Sequence, residues 1–126
     1  MPGKRALIPT EADEQRVLAA YLDHLGLLWQ HPPNEAKRTP QAGRRMKALG
    51  MKAGCPDVLI FSRPPAKREC CGLAIELKRT QGGAVSPAQT RWLADLRKEG
   101  WMTAVCKGAD EAIRLVRCLG YEERKR

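Results

Sequence analysis

Asp57, Glu76 and Lys78 are of types, and at spacings, that could do chemistry together. Glu76 and Lys78 are one residue apart in Gly72-Leu-Ala-Ile-Glu-Leu-Lys78, an apolar run that reads as a buried strand. Residues two apart in a strand project from one face, so Glu76 and Lys78 point together while Ile75 and Leu77 turn toward a core. Asp57 stands at the mouth of an earlier run, Asp57-Val-Leu-Ile-Phe61, entered from Gly54 and Pro56. Ser62 to Cys71, with Pro64 and Pro65, reads as the turn between them. The two runs therefore predict an antiparallel hairpin.

Two carboxylates from adjacent strands can hold a hard divalent ion through oxygen, and the main-chain carbonyl of Leu77 would be a further ligand. Such an ion polarises a phosphate and lowers the pKa of water, while a neighbouring lysine orients that water or offsets charge building on phosphorus. An isolated Glu-x-Lys is common on solvated strand faces. The apolar Leu73-Ala-Ile75 before this one, and Pro56-Asp57 one strand earlier, favour phosphodiester hydrolysis instead.

The elements that must position these groups follow from local signals. Thr10 with Glu11, Asp13 and Glu14 predicts a helix start, and Gly26 its stop near Leu25. Val17, Leu18, Tyr21, Leu22 and Leu25 give that helix one apolar face. Leu27, Leu28 and Trp29 could begin a short strand, and His31 to Gly54, broken by Pro32, Pro33, Pro40 and Gly43, reads as a long basic loop. Ser86-Pro87 opens a second helix ending at Gly100, Trp101 to Cys106 is a strand, and Asp110 to Leu119 a last helix. The order is α, β, β, β, α, β, α, an α/β domain covering 1–126.

Twenty-three Lys and Arg against 14 Asp and Glu give a formal charge of +9, which suits a polyanionic partner, nucleic acid first. No signal peptide is recognisable and no stretch approaches the roughly 20 apolar residues of a spanning helix, so no membrane association and a soluble, intracellular protein are expected. Five cysteines without a CxxC pair predict reduced thiols, mostly buried, rather than disulfides or a zinc knuckle.

The chain resembles the VRR-NUC domain, a branch of the PD-(D/E)xK nuclease superfamily. The resemblance runs from the acidic helix Glu11 to Leu22 through His31-Pro-Pro-Asn-Glu-Ala-Lys-Arg38, Leu49-Gly-Met-Lys-Ala-Gly-Cys-Pro-Asp57, Ile75-Glu-Leu-Lys78 and Ser86-Pro-Ala-Gln89. It implies a restriction-endonuclease-like fold, a mixed sheet flanked by helices, with Asp57 and Glu76 as ligands of Mg²⁺ or Mn²⁺ and Lys78 as the catalytic lysine. Gln89 matches a glutamine that lies close to the active site in that family. The first helix is expected to add an acid, either Glu14, which continues the apolar stripe, or Glu11. Asn34, Lys37 and Arg38 are candidate phosphate contacts in the basic loop, and His31 is given no catalytic role.

Stand-alone members of the resembled family are phage-type homodimers acting on branched DNA, including four-way junctions, and the same is expected here. A less selective flap or single-strand nuclease is a second reading. A non-catalytic DNA-binding module is a third; Asp57 and Glu76 argue against it, because carboxylates without an ion would repel phosphate.

Overall fold

Thr10 and Asp13 begin the first helix with a reciprocal pair of hydrogen bonds: the Asp13 amide donates to the Thr10 hydroxyl at 3.1 Å, and the Thr10 amide to the Asp13 carboxylate at 3.0 Å. Helix α1 (Glu11–Leu25) then runs to Gly26, which takes the left-handed conformation, φ 69°, and donates its amide to the Asp23 carbonyl. Leu18, Leu22 and Leu25 are buried as the periodicity predicts, while Val17 is 51 % exposed at the edge of the stripe.

The computed structural model describes residues 8–33 and 39–124. After α1 come β1 (Trp29–Gln30), α2 (Pro40–Ala48), β2 (Val58–Ile60), β3 (Leu73–Lys78), α3 (Pro87–Lys98), β4 (Met102–Lys107) and α4 (Ala109–Cys118), with one 3₁₀ turn at Pro65–Lys67 in the hairpin connection. The sheet order is β1-β2-β3-β4; β1, β2 and β3 run antiparallel in turn, and β4 joins β3 in parallel across α3.

Helix α2 corrects the expected αβββαβα order, since the stretch predicted as loop holds nine helical residues. Pro40 does not interrupt this helix. It occupies the first turn behind the cap Thr39, whose hydroxyl accepts the Ala42 amide at 3.1 Å. None of its residues is buried, so it carries no apolar stripe for periodicity to find. Strand β1 starts two residues later than the expected Leu27, which is buried in the core instead.

The hairpin forms as predicted, with Val58 opposite Ile75 and Ile60 opposite Leu73. These four, with Leu77 and Cys106, pack against Leu18 and Leu22 of α1 and Ala112 and Val116 of α4. Each such buried aliphatic side chain contributes about 1.5–3 kcal/mol, enough to hold β3 rigidly by its inner face. All six residues of β3 are buried, the charged ones included.

The cysteine expectation is half right. All five thiols are free, but Cys106 alone is buried; Cys71 and Cys118 are exposed and Cys55 and Cys70 half-buried. Cys70 and Cys71 fall in the turn before β3 and Cys118 ends α4, positions where the chain meets solvent.

Gly54, just before Pro56-Asp57, lies against the first turn of α3. Its φ is +90°, and a β-carbon there would stand 2.9 Å from both the carbonyl carbon and Cβ of Ala88. Gly54→Ala is therefore expected to destabilise the fold by about 2–3 kcal/mol through strain and overpacking, read as a lower midpoint in urea unfolding. An unchanged midpoint would mean that this contact is loose.

Candidate active site

One step beyond Val58–Ile75, the hairpin register sets Asp57 beside Glu76. Here the ladder changes partner: the Leu77 amide donates to the Asp57 carboxylate at 2.8 Å rather than to a main-chain carbonyl. A strand residue's N–H and C=O face the same edge, so the Leu77 carbonyl also faces Asp57. The Asp57 carbonyl in turn accepts a hydrogen bond from Nδ1 of His31.

Gln89 ties the acid and the base together. Its Nε2 donates to Glu76 Oε1 at 2.8 Å, and its Oε1 accepts from Lys78 Nζ at 3.1 Å and from the Ser86 amide at 2.8 Å. The Gln89 amide donates back to the Ser86 hydroxyl, completing a capping box. The start of α3 and the end of β3 are thus one hydrogen-bonded unit. Lys78 Nζ also stands 3.4 Å from Glu76 Oε1.

Both acids of the first helix reach this end of the sheet, by different routes. Glu11, half-exposed, brings its carboxylate to 4.0 Å from Lys78 Nζ. Glu14 is buried, with Oε2 sealed from solvent, without a hydrogen-bond partner among the described residues, and packed beside Gly108 and Thr80. Gly108 precedes α4 and donates its amide to the Lys78 carbonyl at 2.8 Å. The N-termini of α1, α3 and α4 therefore converge around the end of β3, and their positive dipole ends favour anions there. Asn34, Lys37 and Arg38 lie outside the described residues.

Glu76 is 1 % exposed, and its Oε2 has no hydrogen-bond partner among the described residues. Burial, and then the Asp57 carboxylate beside it, push its pKa up to about 8, against the opposing pull of Lys78. The pocket thus holds more negative charge than its own cation balances. That deficit fits a divalent ion. Among the described residues no three His, Cys, Asp or Glu side chains are grouped to hold one, so the donors would be two carboxylates and a main-chain oxygen, with water and substrate phosphate completing the shell, a set typical of Mg²⁺.

The sequence model of the VRR-NUC domain matches residues 9–110. The chain belongs to the VRR-NUC family. Among solved structures it is similar to a VRR_NUC domain protein, at 26 % identity, with a TM-score of 0.72 over 91 % of each chain. No curated protein matches it. The VRR-NUC domain is a nuclease-type domain, and the four-stranded mixed sheet flanked by helices agrees with its restriction-endonuclease-like fold. Among the described residues no helix is long and apolar enough to cross a membrane.

Two contributions to this VRR-NUC site escape the residue-by-residue reading. The Ser86 amide anchors Gln89, and Ser86-x-x-Gln89 is itself a capping-box spacing. The contact of His31 with the Asp57 carbonyl left no such signal, because it joins residues 26 apart.

Proposed function

We propose that the chain is a divalent-metal-dependent DNA endonuclease with Asp57, Glu76 and Lys78 at its centre. The observation that carries this reading is the juxtaposition of two carboxyl groups and a lysine at one buried strand end, where burial and the neighbouring Asp57 push the Glu76 pKa up to about 8. Asp57, Glu76 and the Leu77 carbonyl would hold Mg²⁺ or Mn²⁺, which when bound polarises the phosphate and makes attacking water more acidic.

The chain's own side chains do the rest. Lys78, anchored by Gln89, donates hydrogen bonds from its ammonium to the phosphate oxygens as their charge grows, or to the attacking water, which it orients. Gln89 is a positioning residue: bonded to both side chains, it fixes Lys78 and Glu76 relative to each other. Glu11 and Glu14 set the charge around that lysine, Glu11 more directly at 4.0 Å. Asn34, Lys37 and Arg38, with Arg44, Arg45 and Lys47 on the exposed helix α2, supply phosphate contacts.

Gln89→Ala is expected to lower kcat about tenfold with little change in KM, because the loss falls on the orientation of Lys78 in the transition state. Steady-state cleavage assays separate the two constants. A change in KM alone would make Gln89 a DNA contact.

Four-way junctions or other branched DNA are the proposed substrates, cut by a homodimer whose symmetry pairs two sites. Cleavage of a junction, a flap and a plain duplex in Mg²⁺, with sedimentation of the free protein, tests this. Junction cleavage at least tenfold faster, by a dimer, is expected; equal rates on all three would favour the less selective flap or single-strand nuclease.

A further inference from the structure

An apolar cavity of about 370 Å³ opens one helical turn along α3 from Gln89, walled by Pro32, Pro33, Leu49, Met51 and Trp92. Its floor includes Cys55, two residues before Asp57. Trp92 is held in place: its indole Nε1 donates to the Ala53 carbonyl at 3.0 Å. Because Gln89 and Trp92 are three residues apart, they share a face of α3 and stand about 5 Å apart along its axis. The cavity therefore adjoins the proposed cleavage site.

Its chemistry is specific. Flat or flexible apolar groups form the walls, and among the described residues Lys52 is the one charged lining residue. A second shallow groove continues along α2, shares Leu49, and carries Arg45 and Thr39. Leu49, 76 % exposed, is the ridge between them. An apolar socket with Lys52 in its lining and Arg45 in the adjoining groove matches a nucleotide, with a π-faced base for the socket and its phosphates for the two cations. The size lies near the lower end of ligand cavities, about 300–1,000 Å³, room for one base rather than a helix.

We infer that this cavity takes a single unstacked nucleobase of the DNA strand next to the cleavage position, with Trp92 and Leu49 as its walls. The inference rests on the nuclease reading and deepens it. Only DNA with an unpaired or easily unpaired base there fills the socket, so the cavity confers preference for distorted or branched substrates. It acts by occupancy, without reading the base's identity.

The test uses bulged duplexes in which each unpaired position in turn carries either 2-aminopurine or an abasic residue. Binding is measured by anisotropy in Ca²⁺, and cleavage in Mg²⁺. At one position next to the cut, removing the base is expected to weaken binding to the wild type about tenfold, the loss of one stacked base, and 2-aminopurine fluorescence to be quenched there. Trp92→Ala should abolish that discrimination, and so should Leu49→Ala, whose exposed side chain is not needed for folding. Equal binding of abasic and intact DNA at every position overturns the inference while leaving the nuclease reading intact. So does Leu49→Glu converting a dimer into a monomer with the abasic effect unchanged, since the cavity would then hold a second copy of the chain. Absence of both binding and cleavage overturns the nuclease reading as well.

Discussion

Asp57→Asn and Glu76→Gln are each expected to lower DNA cleavage by about three orders of magnitude while leaving DNA binding as tight as, or tighter than, that of the wild type. Each substitution removes one carboxylate from a pair that must hold the cation together, and loss of such electrostatic machinery costs about 10²–10³-fold or more. Asn at 57 keeps an oxygen to accept from the Leu77 amide, which donates to the Asp57 carboxylate at 2.8 Å in the native site, so the hairpin end stays formed. Glutamine at 76 keeps an acceptor for Gln89 and removes the charge that burial disfavours. Removing negative charge near bound phosphate also strengthens binding at low salt. Cleavage assays with and without Mg²⁺, beside anisotropy measurements of binding, check both halves. Full cleavage by Asp57→Asn would remove the metal-centred reading.

Lys78→Met is expected to cost about 10²–10³-fold in cleavage, the loss of one charge-stabilising group in a water-poor site, with a pH signature that a merely structural lysine would not give. The pKa of Glu76 is raised from 4.5 to about 8 in the folded chain. A carboxyl shifted in this direction binds its proton more tightly in the folded state. Its contribution to stability is therefore present in full below pH 4.5 and is lost as pH rises through about 8. Metal-free wild type should accordingly melt higher at pH 6 than at pH 9, by roughly 3–6 °C for each kcal/mol lost. Mg²⁺ or Mn²⁺ competes with that proton, so its stabilising effect should grow from pH 6 to pH 9. Lys78 pulls the Glu76 pKa down. Methionine at 78 thus moves the onset of metal stabilisation to higher pH, while Glu76→Gln abolishes its pH dependence in this window. Melting curves at pH 6 and pH 9 with and without Mn²⁺ decide it; a pH-independent metal effect in the wild type would show that Glu76 is not a ligand.

The cost of this site appears in the packing. Glu76 and Lys78 are 1 % and 7 % exposed in a strand whose other face is core, and charges so buried persist only where partners compensate them. Gln89 supplies most of that compensation, and it can because α3 starts where β3 ends. The unpartnered oxygens of Glu76 and Glu14 are what is left over. A core built for stability alone would not leave them.

Much of this protein is legible in its sequence because the relevant forces are local. Alternation put Glu76 and Lys78 on one face and Ile75 and Leu77 on the other, as the fold bears out. Thr10, Ser86 and Gly26 end their helices through hydrogen bonds that span no more than four residues. Family motifs in the right order supplied the nuclease domain, which the match over residues 9–110 bears out. Helix α2 was missed because its signal had to come from an apolar stripe, and a helix with no buried residue has none. The tertiary structure alone decided the contacts between distant segments. It placed Glu11 at Lys78 and Glu14 against Gly108, joined His31 to the Asp57 carbonyl, and set Gly54 on Ala88. Such choices depend on how whole elements pack, at separations where no residue pattern carries over. The raised pKa of Glu76 belongs with them, since it comes from burial and from a neighbour 19 residues away in sequence, Asp57.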